Sequence, residues 1–433
     1  MASEQYPLHA AVFEGDIRRV AQLLRTHDLS EKDIHGNTPL HLAVMLGRKE
    51  CVHLLLAHNA PVKIKNAQGW TPLAEAISYG NRQTVLSVLR KLKQQAREAL
   101  EERRPALVQA LREIDDFCLE LKWDFHSWVP LVSRILPSDI CKIYKKGACI
   151  RLDTTLVDFN DMHWDRGDIS FIFNGDQQPQ SSLTVLDNRL GVYQRIRYEE
   201  SDLELEEEVD ILMSSDIIAA QMSTKNITFS RAQSGWLFRE DKTEMVGDFK
   251  ADFYYVNGLI LESRKRREHL SPEDVQKNKA LMENIGRGTW DATQQQVERR
   301  QSLTPPEPCS VIWEEYIQAE PGRPPCLGRP LVAKESAKAF KATVAMSDDF
   351  PMTVGMLLDV LEVVAPFKQF QKLRDFMMSR LPPGFPVRIE IPVFPTVTAK
   401  VTFTSFEWRD DLGPELFVIP EDYREDSSRF PDL

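Results

Sequence analysis

The chain has 433 residues, of which 42% are hydrophobic, and its formal net charge is −11. A chain of this length predicts roughly two to four domains, and its apolar content is ample for sizeable cores. The acidic balance argues against a general nucleic-acid-binding protein, although a local basic patch stays open as an alternative.

Neither the cysteines nor the apolar segments indicate a secreted or membrane-spanning chain. Six cysteines are present without a CxxC pair or histidines at metal-ligand spacing, which predicts free thiols in a reducing compartment and no metal. The amino terminus carries no secretory signal. The longest apolar stretch, 354–367, is interrupted by Asp359 and Glu362 and is too short to cross a bilayer. We therefore expect a protein that faces the cytosol.

The first part of the chain repeats a short motif at a period of about 33 residues, which is the period of ankyrin repeats. NTPLHLA at 37–43 recurs as WTPLAEA at 70–76, and a weaker copy, YPLHAA, lies at 6–11. The pattern predicts three ankyrin repeats over 1–104. Three is about the minimum for a stable stack, and such stacks bind other proteins.

Two positions in the repeats are candidates for particular roles. Trp70 falls on a predicted hairpin finger, where we expect an exposed aromatic side chain and a partner contact; packing against the next repeat or the following domain is at least as good an interpretation. His41, in the TPLH position, is predicted to be a hydrogen-bonded structural histidine that ties neighbouring repeats together.

A long helical pattern follows the repeats, from about 82 to 121. Pro105 permits a new helix to start there, because its missing N–H is not needed in a first helical turn. We therefore predict a separate connecting and capping helix over 105–122. Its apolar face would consist of Leu107, Ala110, Leu111, Ile114, Phe117, Cys118 and Leu121.

Beyond this point the pattern changes to short β-rich runs separated by turn signals. We predict an α+β domain over 123–420, built on one large antiparallel sheet. Two helices, at about 353–364 and 367–381, precede its last strands, and a flexible insert lies at about 264–310. An acidic tail is expected at 421–433. The predicted fold class is multidomain, with an all-α ankyrin stack followed by this α+β domain.

Several long strings, beyond the repeats themselves, carry a family resemblance. They are GNTPLHLAVMLG at 36–47, WVPLVSRILPSD at 128–139, EVDILMSSD at 208–216, GWLFREDK at 235–242 and SRFPDL at 428–433. In these strings the chain resembles the ankyrin-repeat-domain-13 family over nearly all its length, and most closely the C-type branch of that family.

The resemblance implies a function that periodicity alone does not show. In that family the region after the repeats is called a receptor-chaperone domain. The C-type branch implies a non-enzymatic, chaperone-like regulator of G-protein-coupled receptor biogenesis and exit from the endoplasmic reticulum. Its partners would be immature receptors, and its place would be the cytosolic face of that membrane, bound peripherally, or the cytoplasm.

The alternative is a ubiquitin-binding adaptor in receptor endocytosis. Other family members resemble this chain in the core but carry ubiquitin-interacting helices after it, whereas this chain ends at Leu433. The comparable acidic stretch at 204–215 lacks the small alanine that such a helix needs. We expect a solvated acidic linker at 199–210 and do not expect ubiquitin binding.

A basic run at 264–267 provides candidates for membrane contact. Its members are Arg264, Lys265, Arg266 and Arg267. Each basic residue near an anionic membrane adds about 1 kcal/mol of binding free energy. A solvated charged face is the other interpretation, and it is the preferred one.

Two hydroxyl side chains are candidates for phosphorylation. RRQSLTPP at 299–306 resembles a basophilic kinase site at Ser302 beside a proline-directed site at Thr304. A phosphate there would add about two negative charges beside two arginines. An unmodified linker is the alternative.

The predicted pair of helices before the last strands is rich in methionine and phenylalanine, which form adaptable apolar surfaces. Met356, Phe370 and Met377 are therefore candidates for partner binding, with core packing as the preferred alternative. No GxSxG, P-loop, HExxH or kinase motif is present. The sequence therefore predicts no enzyme, no catalytic residue and no cofactor.

Overall fold

The computed structural model describes residues 5–127, 136–160, 163–223, 226–235, 240–287, 299–364, 374, 377, 378, 380–394 and 397–430. An all-α stack is followed by a domain built on a large sheet, which confirms the expected fold class. Among the described helices, none combines the length and the apolar character that a bilayer crossing requires.

The amino-terminal stack consists of three helix pairs. They are α1 (Pro7–Glu14) with α2 (Ile17–Leu23), α3 (Pro39–Met45) with α4 (Lys49–Ala57), and α5 (Pro72–Tyr79) with the start of α6 (Arg82–Glu113). Proline begins the first helix of each pair, as the repeated motif predicts. Gly15 and Gly80 follow α1 and α5 with φ of 76° and 87°, the left-handed backbone required there.

Helix α6 runs through Pro105 without a break, so the separate helix predicted at 105–122 is wrong. The helix ends at Glu113, and a strand begins at Phe117. Phe117, Leu119 and Leu121 lie at every second position, which is the period of a strand. The helical prediction failed because apolar residues at 114, 117, 118 and 121 also match helical spacing.

The second half contains sixteen described strands. They are β1 (Phe117–Ser127), β2 (Ser138–Lys146), β3 (Cys149–Asn160), β4 (His163–Asn174), β5 (Leu183–Asp187), β6 (Val192–Arg195), β7 (Ile217–Ser223), β8 (Thr228–Arg231), β9 (Gln233–Ser234), β10 (Glu240–Asp241), β11 (Thr243–Val246), β12 (Phe249–Arg266), β13 (Ala333–Ser347), β14 (Phe385–Phe394), β15 (Val397–Trp408) and β16 (Arg424–Glu425). Four more helices lie between them, namely α7 (Asp202–Ser214), α8 (Pro272–Arg287), α9 (Trp313–Gln318) and α10 (Val354–Val364).

Fourteen of these strands form one sheet. The order is β11-β12-β13-β14-β15-β1-β2-β3-β4-β5-β6-β16, and β7 and β8 also pair with β12. Strand β16 runs parallel to β6, and the other described pairs in this sheet are antiparallel. Strands β9 and β10 form a separate two-stranded ribbon.

The carboxyl-terminal segment belongs to this sheet, in contrast to the acidic tail expected at 421–433. The backbone N–H of Phe430 donates to Gln194 Oε1 at 2.8 Å, and Gln194 Nε2 donates to the Phe430 carbonyl oxygen at 3.0 Å. The Phe430 ring is buried against Ile169 and Val185. Sequence reasoning missed the role of Phe430 because the residues around it are mostly charged or polar.

Two main cores organise the molecule, and they do not follow the expected division into domains. The first joins the repeats to α7 and α9, through Leu205, Val209, Trp313 and Tyr316 among others. The second lies under the sheet and includes Leu111 of α6 together with residues of α10. Helix α6 therefore contributes to both cores and connects the repeats to the sheet.

Candidate functional site: the covered face of the repeats

Residues 299–332, which we call the strap, lie across the fingers and the first helices of the repeats. The Leu303 N–H donates to the Gly80 carbonyl oxygen at 2.8 Å, and Arg329 Nε donates to the Ser78 carbonyl oxygen at 3.0 Å. Helix α9 of the strap contacts α1. The flexible insert expected at about 264–310 overlaps the strap at 299–310, where Leu303 is hydrogen-bonded to Gly80, and its flexibility stays a prediction.

Tyr316 of α9 is the residue through which the strap enters the first finger. Its side chain is fully buried, and its hydroxyl donates to Asp33 Oδ2 at 2.6 Å. His35 Nε2 lies 2.8 Å from the Tyr316 carbonyl oxygen. Burial, and then the neighbouring Asp33 carboxylate, raise the pKa of Tyr316 above its usual range, so the phenol stays protonated.

Hydrogen bonds within the first finger position the groups that bind this hydroxyl. Asp33 Oδ1 accepts the backbone N–H groups of His35 and Asn37, both at 2.9 Å, which closes the turn. Asn37 Nδ2 then donates to the Tyr316 hydroxyl at 2.8 Å. Asn66 of the second finger donates to Asn37 Oδ1 at 3.0 Å, so one chain of hydrogen bonds connects two fingers and the strap.

Aromatic packing accompanies these polar contacts. The Phe13 ring of α1 lies 5.5 Å from the Trp313 ring and 5.3 Å from the Tyr316 ring, measured between centroids. Trp313, Tyr316 and Ile317 are all buried in the core of the repeats. Sequence reasoning missed this helix, although apolar residues at i, i+3 and i+4 within a proline-rich segment were a usable signal.

Trp70 is 3% exposed, so the expectation of an exposed partner contact is wrong. Its ring lies beneath two arginines, with the Arg266 guanidinium carbon 4.9 Å and the Arg264 carbon 5.6 Å from its centroid. His41 Nε2 lies 3.0 Å from the Trp70 carbonyl oxygen, so His41 connects neighbouring repeats as predicted. The alternative interpretation of Trp70, packing against the following domain, describes its position.

Arg266 is buried in an ion pair, which contradicts its assignment to membrane contact. Its guanidinium donates to both Glu75 carboxylate oxygens, at 2.9 and 3.0 Å, and to Glu268. Burial acts to lower the pKa of Arg266, but the two carboxylates outweigh it and raise the pKa. A side chain that is 3% exposed cannot meet lipid headgroups.

The other members of the basic run differ from one another. Arg264 pairs with Glu335 at 2.8 Å and also donates to the Gln68 carbonyl oxygen, and Arg267 pairs with Asp216 at 3.2 Å. Lys265 is half-buried. The alternating geometry of β12 places it on the face opposite Arg264 and Arg266.

Of the three apolar candidates for partner binding, the structure describes two, Met356 and Met377. Met356 is partly buried against the core under the sheet, which is the core-packing alternative. Met377 is half-buried, and its neighbour Met378 is 62% exposed. Phe370 lies outside the described residues.

The two phosphorylation candidates lie in the strap, and both are exposed. The Ser302 hydroxyl oxygen accepts the backbone N–H of Arg82 at 3.0 Å, at the start of α6. The Thr304 carbonyl oxygen accepts a hydrogen bond from Arg329. Ser302 is thus attached to the repeats through its side chain, whereas Thr304 is attached through its backbone to Arg329 of the strap itself.

Two concave sites of the described chain are lined as follows. A cavity of about 220 Å³ between the strap and α5 is lined by Glu75 and Arg266, which neutralise each other. A groove of about 580 Å³ on the sheet is lined mainly by amide and hydroxyl side chains, with Arg195 as its charged member. Within the described residues, no three metal-ligating side chains come together.

Comparison with known proteins agrees with this architecture. The family model for three ankyrin repeats matches residues 8–98, and the model described as ANKRD13 C-terminal matches residues 151–428. The second match covers more than half of the chain. The chain belongs to the ankyrin-repeat-domain-13 family.

Several members of that family are similar over almost the whole chain. Ankyrin repeat domain-containing protein 13C is 66% identical over 430 residues in both Homo sapiens and Danio rerio, covering 99% of this chain and 79% and 88% of those relatives. Ankyrin repeat domain-containing protein 13B of Homo sapiens is 36% identical over 439 residues, with 96% of this chain and 70% of the relative covered. Ankyrin repeats are typically non-catalytic surfaces that bind proteins, and neither matched family is described as an enzyme or as a nucleic-acid-binding family.

Proposed function

We propose that the protein is a non-enzymatic, chaperone-like regulator of G-protein-coupled receptor biogenesis and exit from the endoplasmic reticulum, docked peripherally on the cytosolic face of that membrane. The family resemblance supports the class of client. One surface of the sheet supports the docking, and it is the observation on which the proposal depends.

That surface is formed by three adjacent strand segments, which we call the ribbon: β7, residues 260–266 of β12, and residues 333–339 of β13. The cross-strand pairs Ile218 with Lys265 and Met222 with Leu261 fix which side chains share a face. The nine residues of the outer face are Ile218, Ala220, Met222, Leu261, Ser263, Lys265, Lys334, Ser336 and Lys338. None of these nine side chains is acidic.

The outer face combines exposed apolar side chains with lysines. Ile218 is 57% exposed and Met222 40% exposed, and Lys334 and Lys338 are exposed beside them. The opposite face, which carries Arg264 and Arg266, rests on the repeats. Exposed apolar groups beside lysines are the combination that binds an anionic lipid surface, at about 1 kcal/mol per basic residue.

The net negative charge of the protein is opposite in sign to that of the cytosolic loops of membrane proteins. Cytosolic loops of membrane proteins are enriched in lysine and arginine. A chain with a net charge of −11 attracts such loops and is repelled from anionic lipid except through a basic patch. Docking through the ribbon would therefore orient acidic surfaces towards receptor loops.

The test uses the double variant Lys334→Glu and Lys338→Glu in the full chain. We expect flotation with phosphatidylcholine vesicles containing phosphatidylserine to fall about tenfold or more, since two attractions become two repulsions. In cells, the variant should lose its effect on surface delivery of a newly made receptor.

Lys341→Glu is the matched control, because Lys341 is also exposed on β13 but lies on the other face. It should float and act as the unmodified protein does. Unchanged flotation of the double variant would refute docking through the ribbon. Unchanged receptor delivery by a variant that no longer floats would refute the function.

The structure offers little support for the ubiquitin-binding alternative. The acidic stretch forms α7, whose apolar side chains Leu205, Val209 and Met213 are buried against the repeats. A helix docked in this way exposes Leu203 and Ile211 but does not offer its main apolar stripe to ubiquitin. Retention of the full chain on immobilised ubiquitin chains would reverse this conclusion.

A further inference from the structure

We propose that Ser302 is a phosphorylation site for a basophilic protein kinase, and that the phosphate fastens the strap to the amino-terminal end of α6. The proposal concerns regulation of the covered face of the repeats, and it does not depend on the client or on membrane docking.

The local sequence has the features that such a kinase recognises. Arg299 and Arg300 precede Ser302 by three and two positions, and the apolar Leu303 follows it. The segment is free of helix and strand from 299 to 312, and Ser302 is exposed. The exposed Ser302 hydroxyl behind two arginines is the group that such a kinase modifies, and binding of the segment to the kinase releases Arg300 from Asp274 and Leu303 from Gly80.

The site already holds the serine oxygen as an acceptor. Ser302 Oγ receives the Arg82 N–H at 3.0 Å, at the first residue of a helix of 32 residues. A phosphate on that oxygen would keep the Arg82 N–H as a donor and lie at the positive end of the helix dipole, next to the Thr84 N–H that Asn81 caps. Both interactions favour the charged product over the hydroxyl.

Side-chain charges around Ser302 decide the direction of the effect. Arg82 is ion-paired with Glu206 and Asp210, and Arg300 with Asp274. Arg299, by contrast, is 74% exposed and lies 3.6 Å from Glu206.

Arg299 is therefore the arginine that can turn to the phosphate without leaving a buried carboxylate unpaired. A bidentate contact between its guanidinium and the phosphate would add to the attraction of the helix terminus.

The modification is a phosphoryl transfer from ATP. The Ser302 oxygen attacks the γ-phosphorus, a bond from Oγ to phosphorus forms, and the bond from that phosphorus to the oxygen bridging to ADP breaks. The hydroxyl proton passes to the catalytic base of the kinase, and ADP leaves. No other reactant is required.

The experiment treats the folded full-length chain with a basophilic serine kinase and ATP, and maps phosphate by mass spectrometry. We expect one phosphate on Ser302, absent from Ser302→Ala and retained in Thr304→Ala. Attachment of the strap is then read by hydrogen exchange at two places, the Leu303 amide and the amides of α9. Exchange at both places should slow about fivefold to tenfold on phosphorylation.

Arg299→Gln separates the contribution of Arg299 from that of the helix terminus. Because the substitution also weakens kinase recognition, the phosphoserine is introduced by chemical ligation of a phosphorylated peptide. In that chain, phosphorylation should slow exchange by about half as much as it does in the chain that keeps Arg299, or by less. Failure of the kinase on the folded chain, whether or not it modifies the free peptide 299–308, would overturn the site. Unchanged or faster exchange after complete phosphorylation would overturn the fastening.

Discussion

His41 shows how a single buried side chain connects the repeats and makes their stability depend on pH. Its ring is fully buried, with Nδ1 beside the Thr38 backbone N–H and hydroxyl and Nε2 beside the Trp70 carbonyl oxygen. Burial lowers its pKa from the ordinary 6.5 to about 4. The neutral ring is thus the form that the folded stack requires.

We predict that His41 makes the free energy of unfolding fall as the pH is lowered from about 6.5 to about 4. In that range the unfolded chain binds a proton at this position and the folded chain does not, so the free energy of unfolding rises with pH and then levels off. The contribution should reach up to about 3 kcal/mol. Urea unfolding at a series of pH values, with His41→Gln for comparison, measures it.

The stability gap between the unmodified chain and His41→Gln should be widest near pH 7 and narrow towards pH 4. His53→Gln is the matched control, because His53 is exposed on α4 and its gap should stay constant. A His41→Gln gap that did not change with pH would contradict the assignment.

At the scale of elements, α6 is the helix that holds the two halves together despite a proline in its interior. Pro105 is exposed, and the helix is held at its two ends, by Val85 and Leu89 in the repeats and by Leu111 under the sheet. Packing at both ends outweighs the lost backbone hydrogen bond.

We predict that Pro105→Ala stabilises the protein. Alanine would restore the N–H that proline lacks and remove the clash with the preceding turn, a gain of about 1–3 kcal/mol. Thermal unfolding measures the gain. Pro179→Ala, at the start of a short 3-10 turn where no N–H is needed, should leave stability unchanged. A loss of stability in Pro105→Ala would show that the helix is interrupted at this point.

The sequence predicted helices and strands well where a motif or hydrophobic pattern was long and matched only one type of secondary structure. The repeats were readable from the recurring TPL motif, and the sheet from alternating runs such as β15. Helix α9 has 6 residues, and its apolar residues at i, i+3 and i+4 were a usable but short signal that sequence reasoning missed. The boundary of α6 was missed because residues 114–121 satisfy helical and strand spacing together.

The candidate site was less predictable, because its contacts join residues distant in sequence. Trp70 and Arg266 are each ordinary in isolation, and their stacking follows from the docking of β12 on the repeats. The basic run was correctly seen as charged, but strand alternation divides it between two faces, and the sequence does not say which face is covered. Lys265 is the member that this division leaves on the outer face.

At the scale of the whole molecule, the repeats share one hydrophobic core with helices from the second half of the chain. The core of the repeats includes residues of α7 and α9, which lie far along the chain. The face that ankyrin stacks commonly use for partners is therefore filled by the protein itself.

We predict that Trp313→Ala destabilises the repeats even though Trp313 lies outside them. Loss of a side chain that is 3% exposed and packed on Phe13 should cost about 3–5 kcal/mol. Amide exchange in α1 and α3 should quicken together with that in α9. Trp408→Ala, at a tryptophan that is 40% exposed, should cost about 1 kcal/mol and leave those helices protected. Faster exchange confined to α9 would contradict the shared core.

The order of synthesis gives the strap a further consequence. At roughly 5–20 residues per second, a ribosome needs on the order of 10 s or more to add the residues between Glu113 and Trp313. Throughout that interval Asp33 and Asn37 have been synthesised and Tyr316 has not, so the first finger is without the phenol to which it is bound in the finished protein.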